Sequence, residues 1–548
     1  MLKKCILASL FIIPSLAYAA QPSANMVVSA HPLASQAGIQ VLQKGGNAFD
    51  AAAATALALG VVEPGSSGIG GGGFFLLYIA KEDRYVMIDA RETSPKLAGR
   101  GEIYNTQSSI NGPQSAGVPG LIAAVDHLIS TYGRVKRDVI TQPAISLARN
   151  GFPISPHLQG MIKWRKYALN HTAQGIFLNH GETPKENSLL RQAALADTLL
   201  RFSKHGADDF YRGETAGRLV ADMKRDGGLI REHDLANYQV IERDPIRFTY
   251  QGTQFISAAL PSSGGITMAE TLGILQDDHL AAMNPADRTH LLIEAMKRAY
   301  KDRNEHLGDR DFITIPDLLN PQRLKKLRAS IDMHKATPSK ELIGFSEPIG
   351  ASVDTTHFSI IDDEGNMVSA TLSINYGMGS GYVSPSTGIL LNDEMDDFAT
   401  QPGKPNAYGL VQGSANAVAP GKRMLSSMSP TFVIGKDRTF IVGTPGGSRI
   451  ISMVLLASTA FMANDSTPEK WVNAPRFHHQ FLPDVVQHEA GVFTSDTAAE
   501  LKKRGHHLKQ MNRQYGNMQA ILWNRNQGRL TGITDHRGEG KAIQIQRH

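Results

Sequence analysis

The stretch that decides the fold is Asp354-Thr355-Thr356-His357-Phe358-Ser359-Ile360-Ile361, followed by Asp362-Asp363-Glu364-Gly365-Asn366 and a run to Ile374. Residues 356–361 and 367–374 are rich in β-branched and apolar side chains, and the acidic, glycine-containing segment between them is typical of a turn. The pattern predicts a β-hairpin. It also places a Thr-Thr-His triplet where the first strand begins.

The chain changes character at this hairpin. Upstream, residues 121–132, 189–205 and 288–303 repeat apolar side chains at helical spacing, and residues 46–59 form an alanine-rich segment typical of a buried helix. Residues 335–351 are polar and contain prolines, which predicts an exposed connector just before the hairpin.

Strands and helices are mixed downstream of the hairpin. Strands are predicted at residues 388–391 and 431–435 as a pair, and at 439–443, 518–523 and 542–546. Helices are predicted at residues 448–462 and 495–504. The sequence therefore predicts an α+β protein whose chemistry-bearing strands lie after residue 354.

The N-terminus has the three parts of a secretory signal peptide. Residues 1–4 carry two lysines, residues 5–16 are apolar, and Ala17-Tyr18-Ala19 supplies the small residues of a cleavage site. We expect cleavage after this triplet and a periplasmic or secreted product. A retained membrane anchor is the alternative, but an anchor needs about 20 apolar residues, and this run is shorter and contains Pro14.

Composition narrows the possible chemistry. The 548 residues include 56 lysines and arginines against 51 aspartates and glutamates, a net charge of +5. Removal of the leader takes away two lysines, so the mature charge is 54 minus 51, or +3, which gives no reason to expect nucleic-acid binding. The leader also carries Cys5, the one cysteine, so the mature chain has neither a cysteine nucleophile nor a thiolate metal site.

Common ligand motifs are absent or misplaced in the sequence. Residues 68–73 match G-x-G-x-x-G, but a dinucleotide fingerprint follows a strand and opens a helix, whereas here a helix precedes and a strand follows. These glycines instead fit a close approach of backbones. The pairs His478-His479 and His506-His507 are poor metal ligands because neighbours in a strand face opposite sides, so satisfied or surface histidines are expected.

The acidic run at residues 392–397 lacks the spacing of a calcium loop, and a cationic substrate group is an equally good partner for it. The remaining polar motifs suit acyl chemistry: Thr355-Thr356-His357, Ser426-Ser427 and Pro445-Gly446-Gly447-Ser448. A threonine pair alone is ordinary strand composition. Its position after a connector, at the start of a strand-rich region, makes the pair of greater interest. No cofactor or metal is expected.

Eight segments carry a resemblance to a known family. They are GGNAFDAA at 45–52, DARE at 89–92, GVPG at 117–120, PSSGG at 261–265, DTTHFS at 354–359, LNDEMDDF at 391–398, LSSMSPT at 425–431 and PGGSR at 445–449. In this order, and over nearly the whole mature chain, they resemble gamma-glutamyltransferase, also called gamma-glutamyltranspeptidase, of the bacterial exported type.

The resemblance implies an N-terminal-nucleophile hydrolase with an αββα sandwich, made as a precursor that cuts itself once. Carried onto this chain, the cut falls between Asp354 and Thr355. The expected parts are a signal peptide at 1–19, a large subunit at 20–354 and a small, catalytic subunit at 355–548. The two subunits are expected to stay together as a heterodimer.

The resemblance makes Thr355 the nucleophile. Its hydroxyl needs a base, and the α-amino group that the cut exposes has a reference pKa of about 7.7 to 8.0, close enough to neutrality to act as one. Thr355 would attack the γ-carbonyl of a γ-glutamyl compound such as glutathione, and water or the amine of an amino acid or peptide would then accept the glutamyl group. Backbone amides of Gly446 and Gly447 would hold the oxyanion, and Ser373 would hydrogen-bond near the nucleophile.

The glutamyl head is zwitterionic, so its recognition needs a cation and anions. By the resemblance, Arg91 holds the α-carboxylate, for which a guanidinium offers a bidentate fork. Glu394 and Asp397 hold the α-ammonium. Neutral hydrogen bonds are expected from Asn375, Ser426 and Ser427.

Two of these assignments have structural alternatives. Arg91 could form only an ion pair with Glu92 or Asp89, and Asp397 could serve only in a helix cap or turn. Residues 402–413 match the lid that some bacterial family members place over the glutamyl pocket, with Tyr408 as the lid aromatic. A plain surface loop is the alternative for this segment.

Two other functions stay open. A related acylase that acts on glutaryl-type or β-lactam side chains would use the same nucleophile, but such a substrate lacks the α-ammonium that Glu394 and Asp397 would bind. The second alternative is an exported binding protein that has kept the fold and lost turnover. The intact nucleophile and oxyanion glycines count against it.

Overall fold

The computed structural model describes residues 20–342, 355–404, 406 and 410–546. The predicted leader, Asp354 and Tyr408 lie outside the described residues. The described part of the predicted connector contains one short 3₁₀ turn, Ser339–Leu342. Within these ranges, no helix combines the length and the apolar character needed to cross a membrane.

The strands come from the whole length of the described chain. They are β1 Ala24–Ser29, β2 Gly72–Ile79, β3 Arg84–Ala90, β4 Phe152–Pro153, β5 Leu189–Leu190, β6 Ile241–Arg243, β7 Ile246–Tyr250, β8 Thr253–Ser257, β9 Thr356–Ile361, β10 Met367–Ser373, β11 Thr431–Ile434, β12 Arg438–Gly443, β13 Phe477–His478, β14 Val486–His488, β15 Leu508–Gln510, β16 Gln519–Asn524, β17 Arg529–Thr534 and β18 Lys541–Gln546.

Most of the helices lie upstream of the hairpin. They are α1 Pro32–Gln43, α2 Ala48–Val62, α3 Leu121–His127, α4 Arg137–Asn150, α5 Pro156–Arg165, α6 His171–Phe177, α7 Ala193–His205, α8 Ala207–Tyr211, α9 Glu214–Asp226, α10 Glu232–Ala236, α11 Gly264–Ile274, α12 Pro285–His306, α13 Pro321–Ala329, α14 Ile450–Ala463, α15 Pro468–Asn473 and α16 Ser495–Lys503.

Two antiparallel sheets form the centre of the molecule. The seven-stranded sheet has the order β18-β1-β9-β10-β2-β3-β6, and the six-stranded sheet has the order β17-β16-β12-β11-β8-β7. Strands β9 and β10 of the first sheet pack against β12 and β16 of the second. Helices α1 and α2 lie on the outer side of the first sheet, and α11 and α14 lie on the outer side of the second. The layers are therefore α, β, β, α.

Both faces of the seven-stranded sheet are buried, as β2 illustrates. Phe74 and Leu76 share a core with Phe432 of the second sheet, whereas Phe75 and Leu77 belong to the core that includes helix α2. Successive side chains of a strand point to opposite faces, so a strand between two layers must be apolar at nearly every position. This explains why residues 74–77 read as a continuous apolar run.

The hairpin prediction agrees with the structure. Strands β9 and β10 pair with Leu372 opposite Thr356, and Asp362 Oδ1 accepts a hydrogen bond of 2.9 Å from the Asn366 amide in the turn. The hairpin lies in the middle of its sheet, between β1 and β2. Strands from both sides of the predicted cut therefore alternate within one sheet.

Other local predictions match with small shifts. The alanine-rich helix is α2, whose first turn is closed by a capping box between Asn47 and Asp50. The helix predicted at 121–132 ends as α3 at His127 and continues as a π-helix, Leu128–Tyr132. The segment predicted as helix from residue 189 begins with β5 instead, because Leu189 and Leu190 pair with β4.

The predicted pairing of residues 388–391 with 431–435 is wrong. Leu390 and Leu391 form only isolated bridges, to Val383 and Gly70. The Leu391 amide donates to the Tyr382 carbonyl at 3.0 Å, so the backbone of this segment is satisfied locally. Strand β11 pairs instead with β12 and with the distant β8.

Candidate active site

Thr355 lies immediately before β9 and is 8% exposed. It lines two cavities, one of about 20 Å³ and one of about 430 Å³. The smaller cavity brings Thr355 together with predicted site residues from five other segments: Arg91, Ser373, Asn375, Asp397, Ser426, Ser427 and Gly447. Gly446 lies on the wall of the larger cavity. The described predicted residues other than Glu394 therefore lie around the two cavities that contain Thr355. Glu394 is fully buried and contacts Arg91 from behind the smaller cavity's lining.

Strand register places Ser373 beside the nucleophile. Leu372 pairs with Thr356, so Ser373, the next residue of β10, lies next to Thr355 at the end of the hairpin. The Asn375 amide donates a hydrogen bond of 2.8 Å to Ser373 Oγ. Gly71 approaches the same point, since a Cβ added to it would lie 2.2 Å from the Ser373 carbonyl oxygen. The close approach of backbones that was expected at the glycine-rich segment, residues 68–73, is therefore present.

The glycine turn after β12 runs between the two cavities. Gly446 has φ +152° and Gly447 has φ +52°, and a Cβ added to Gly446 would lie 2.2 Å from the Met453 methyl carbon. Tyr300 Oη donates a hydrogen bond of 2.5 Å to the Ser448 carbonyl, which fixes the next residue of the turn. Each glycine lines a cavity that also contains Thr355, and two successive residues without side chains permit a close approach of substrate to the backbone.

Arg91 is fully enclosed and surrounded by acids. Its Nη1 lies 2.5 Å from Glu394 Oε2 and 3.5 Å from Glu92 Oε2, and its Nη2 pairs with Asp397 Oδ2. Its Nε donates to the Met424 carbonyl at 3.2 Å. The guanidinium group is thus occupied by protein groups. The ion pair with Glu92, which was the structural alternative for Arg91, is present together with ion pairs to Glu394 and Asp397.

One guanidinium faces three carboxylates in this cluster. Burial raises the pKa of Glu92 to about 7 and raises the pKa of Glu394 well above its ordinary value, with repulsion between neighbouring acids adding to both. Three acids beside one guanidinium therefore cannot all ionise readily. A substrate ammonium placed here would favour their ionised forms.

Arg303 was not among the predicted site residues, yet it lies on α12 and lines the smaller cavity. Its Nε donates to Ser263 Oγ and its Nη2 donates to Ser427 Oγ, both at 2.9 Å. Among the described residues it forms no ion pair, and burial lowers its pKa to about 10. It is a buried cation held against the hydroxyl of a predicted substrate-binding residue.

A signal for Arg303 is present in the sequence. An arginine on a helix can pair with an acid three or four positions away, as Arg298 does with Glu294 at 2.7 Å. The residues three and four positions from Arg303 are an alanine, a tyrosine, a histidine and a leucine. Together with a buried helical face, this lack of a local acid marks the cation as one whose partner lies elsewhere.

The two histidine pairs behave as expected. His478 Nδ1 is 2.9 Å from Ser452 Oγ, and His479 Nε2 is 3.1 Å from Asp484 Oδ1. His506 contacts another ring nitrogen inside the protein, and His507 is exposed. Burial lowers the pKa of His478 and of His506 to about 3, so both are neutral.

Among the described residues, one group of side chains is close enough together to hold a metal ion. It consists of Asp302, Glu305 and His306 on α12. Asp302 already pairs with Arg323, and Glu305 pairs with Lys301 at 2.7 Å. These acids are therefore neutralised by cations of the protein, and we assign no metal to them.

Comparison with known proteins identifies the family. The sequence pattern of gamma-glutamyltranspeptidase matches residues 34–545, nearly the whole chain. The chain belongs to the gamma-glutamyltranspeptidase family. The resemblance stated from the eight segments is confirmed.

Relatives of this gamma-glutamyltranspeptidase family member match over most of their length. The glutathione hydrolase proenzyme of Escherichia coli (strain K12) is 39% identical over 527 residues, which cover 94% of this chain and 90% of the relative. The glutathione hydrolase proenzyme of Pseudomonas sp. (strain A14) is 40% identical over 497 residues, which cover 88% and 86%.

Solved structures place the family member in its fold class. A cephalosporin acylase from Bacillus halodurans superposes with a TM-score of 0.84 at 26% identity and covers 100% of both chains. The gamma-glutamyltranspeptidase of Helicobacter pylori has a TM-score of 0.55 at 36% identity and covers 57% of this chain and 93% of its own. Together with the α, β, β, α layers, these matches confirm the predicted N-terminal-nucleophile hydrolase sandwich.

Proposed function

We propose that this protein hydrolyses and transfers γ-glutamyl groups through an ester on Thr355, with glutathione as a donor. One observation carries the proposal: the smaller cavity joins this threonine to Asp397, which belongs to the acid cluster around Arg91, and to Arg303, a buried guanidinium that forms no ion pair among the described residues. An α-amino acid head has the complementary pair of charges. The relatives named glutathione hydrolase proenzyme point to the same donor class.

The two charged ends of the head have separate partners in this proposal. The α-ammonium lies against Glu394 and Asp397, where a second positive charge stabilises the ionised form of the acids that surround Arg91. The α-carboxylate lies against Ser426 and Ser427, beside the buried charge of Arg303. Because Ser427 Oγ accepts from the Arg303 guanidinium, its own proton is available for the carboxylate. Asn375 adds a neutral hydrogen bond.

The cavity must open further to admit the head. Its volume of about 20 Å³ is close to the space that one water molecule needs. Leu410 and Gln412, which belong to the predicted lid at 402–413, line it. This contact supports a lid role for the segment, in which Leu410 and Gln412 move aside for the donor and then close over it.

Maturation supplies the base for the reaction. In the proposed sequence, the leader at 1–19 is removed and the precursor cuts itself between Asp354 and Thr355, which yields a large subunit of residues 20–354 and a small one of 355–548. The new α-amino group of Thr355 then lies next to its own hydroxyl. The two subunits form a heterodimer in the periplasm or outside the cell.

The reaction proceeds in two acyl transfers. The Thr355 hydroxyl oxygen bonds to the γ-carbonyl carbon while its proton passes to the α-amino group, and amides of Gly446 and Gly447 bind the oxyanion. Collapse breaks the bond to the leaving amine, which takes the proton away. Water or an acceptor amine then attacks the ester, the bond to the threonine oxygen breaks, and that oxygen regains a proton. Ser373 orients the nucleophile throughout.

A second candidate is an acylase, because the Bacillus halodurans neighbour carries that name and matches the whole chain. A glutaryl group has a carboxylate in place of the amino acid head and brings no ammonium. It would leave Glu394 and Asp397 without the cation that the proposed function places beside them. Hydrolysis of γ-glutamyl and glutaryl anilides by the same preparation distinguishes the two, and faster glutaryl turnover would favour the acylase.

The decisive experiment combines the N-terminal sequence of the purified small fragment with activity on a γ-glutamyl anilide. A fragment that begins Thr-Thr-His, together with release of the aniline, is the expected result. A fragment that begins elsewhere contradicts the proposed nucleophile. A correctly cut protein without turnover would revive the inactive binding homologue.

A further inference from the structure

The larger cavity beside Thr355 has a charge pattern that the glutamyl pocket does not explain. Its volume of about 430 Å³ is in the range of small-molecule sites. Its wall includes Glu63 and Glu539 as acids and Arg449, Arg513 and Arg537 as permanent cations. The glutamyl head has its proposed place in the smaller cavity, so this second cavity is available to whatever leaves or approaches the ester.

Arg537 is already neutralised, but the other two arginines are not. Arg537 pairs with Glu489 and, at 3.0 Å, with Asp535. Arg449 donates to Gln487 Oε1 at 2.9 Å and lies 5.2 Å from the centre of the Tyr515 ring. Arg513 is exposed. Among the described residues, neither Arg449 nor Arg513 forms an ion pair.

The two unpaired arginines line the same cavity, and their charges repel each other. Burial lowers the pKa of Arg449, and the charge of Arg513 lowers it further. Two neighbouring guanidiniums in one wall form a site for an anion, and their planar donors match a carboxylate. Arg449 is held from its other side by the glutamine and by the tyrosine ring, so its position is fixed before any ligand arrives.

We propose that Arg449 and Arg513 bind the C-terminal carboxylate of the peptide that leaves the donor and of the peptide that later accepts the glutamyl group. The inference rests on the proposed function, because it needs the ester on Thr355. The peptide lies across the larger cavity with its amine at the ester carbonyl and its carboxylate at the two arginines. In the transfer step the amine nitrogen bonds to the ester carbon, and its proton goes to the released threonine oxygen.

The acids of the cavity support this orientation. Glu63 Oε2 accepts a hydrogen bond of 2.6 Å from Thr356 Oγ1, so its carboxyl lies beside the residue that follows the nucleophile. A carboxyl group at this end favours the amine of a peptide over its carboxylate. Glu63 therefore favours an amine beside Thr355, whereas Arg449 and Arg513 favour a carboxylate within the same cavity.

The test compares acceptors that differ only in the carboxylate. Transfer from γ-glutamyl-p-nitroanilide to glycylglycine and to glycylglycinamide is measured with the processed enzyme, its R513Q variant and the double variant R449Q/R513Q. We expect R513Q to raise the KM for glycylglycine about 2- to 5-fold, as the loss of an exposed ion pair predicts. Loss of both guanidiniums should raise it about tenfold or more.

Further measurements test whether the two arginines contact the carboxylate. The KM for glycylglycinamide and the rate of anilide hydrolysis should stay unchanged in R513Q, because neither reaction presents a carboxylate to this wall. The KM for glutathione as donor should rise, since its leaving peptide carries one. Added salt should weaken the glycylglycine effect in the wild type. Lys509→Gln, which removes one exposed positive charge outside the cavity, is the matched control.

The outcomes separate this inference from the proposed function. Equal losses for both acceptors, or unchanged KM values for glycylglycine in R513Q and in the double variant, would overturn the carboxylate site while anilide hydrolysis still supported the nucleophile. A wild-type enzyme that is cut at Thr355 but hydrolyses no γ-glutamyl anilide would overturn the proposed function itself.

Discussion

Arg303→Met tests the part of the glutamyl pocket that the sequence did not predict. The substitution removes a buried positive charge that holds Ser427 Oγ and Ser263 Oγ, each at 2.9 Å. Ser263 keeps a hydrogen bond to the Ser426 carbonyl at 2.6 Å, whereas the hydroxyl of Ser427 loses a fixed donor. The expected defect is therefore confined to the side of the pocket that receives the α-carboxylate.

The size of the defect follows from these contacts. A hydrogen bond from a charged donor contributes about 1.5 to 3 kcal/mol, so kcat/KM for a γ-glutamyl donor should fall about 10- to 150-fold. Stability should change little, because the guanidinium is buried without an acid partner among the described residues and methionine fills a similar volume. We expect the free energy of unfolding to change by less than about 2 kcal/mol.

A donor without an α-carboxylate isolates the effect. The assay compares γ-glutamyl-p-nitroanilide with 4-aminobutyryl-p-nitroanilide, which keeps the amine and lacks the carboxylate. Arg303→Met should affect the first and spare the second, with Arg303→Lys in between because a lysine keeps the charge but not both hydrogen bonds. Lys301→Met on the same helix is the control. Equal losses with both donors, or no loss in a folded variant, would refute the reasoning.

The other predictions concern the nucleophile, the acid cluster and the acceptor side. Thr355→Ala should leave one uncut, inactive chain on a denaturing gel, and two bands would contradict the assignment. Asp397→Asn should raise the KM for γ-glutamyl anilide about tenfold with less effect on a glutaryl anilide, because one partner of the ammonium is lost; equal effects on both would count against that role. Burial raises the pKa of Glu63 to about 7 from a reference of 4.5, so the folded protein loses stability as pH rises between these values. Glu63→Gln keeps a hydrogen-bond acceptor for Thr356. It should raise the melting temperature at about pH 8, where it restores up to about 3 kcal/mol of the free energy of unfolding, but not at about pH 4. A shift of the same size at both pH values would contradict the proposed titration of Glu63.

Local sequence patterns predicted the elements that carry the chemistry. The hairpin of β9 and β10 follows from two runs of strand-forming residues and an acidic turn, and α2 follows from its alanines and its Asn47 cap. The residues of the smaller cavity followed from ordered motifs. Each of these features depends on residues that are neighbours in sequence or on short sequence motifs.

Long-range pairings could not be predicted in the same way. Strand β11 reads as a strand, yet its partner β8 lies far upstream, with Thr431 opposite Ser257. Register between distant strands is set by the packing of whole layers, which no local period encodes. The acids around Arg91 come from segments that are distant in sequence, so their meeting could not be predicted locally. The same holds for the surroundings of Arg303, for which the lack of an acid at neighbouring helical positions was the one signal in the sequence.

The interleaved sheet has a consequence for the life of the enzyme. Strands β9 and β10 lie between β1 and β2, β18 lies outside β1, and β11 of the other sheet pairs with β8. With the proposed cut, each of these four seams joins two separate polypeptides. Refolding after complete unfolding would then require two chains to meet and interdigitate, whereas the precursor folded as one. The mature enzyme would thus use its folding route only once, and its lifetime would depend on how slowly it opens.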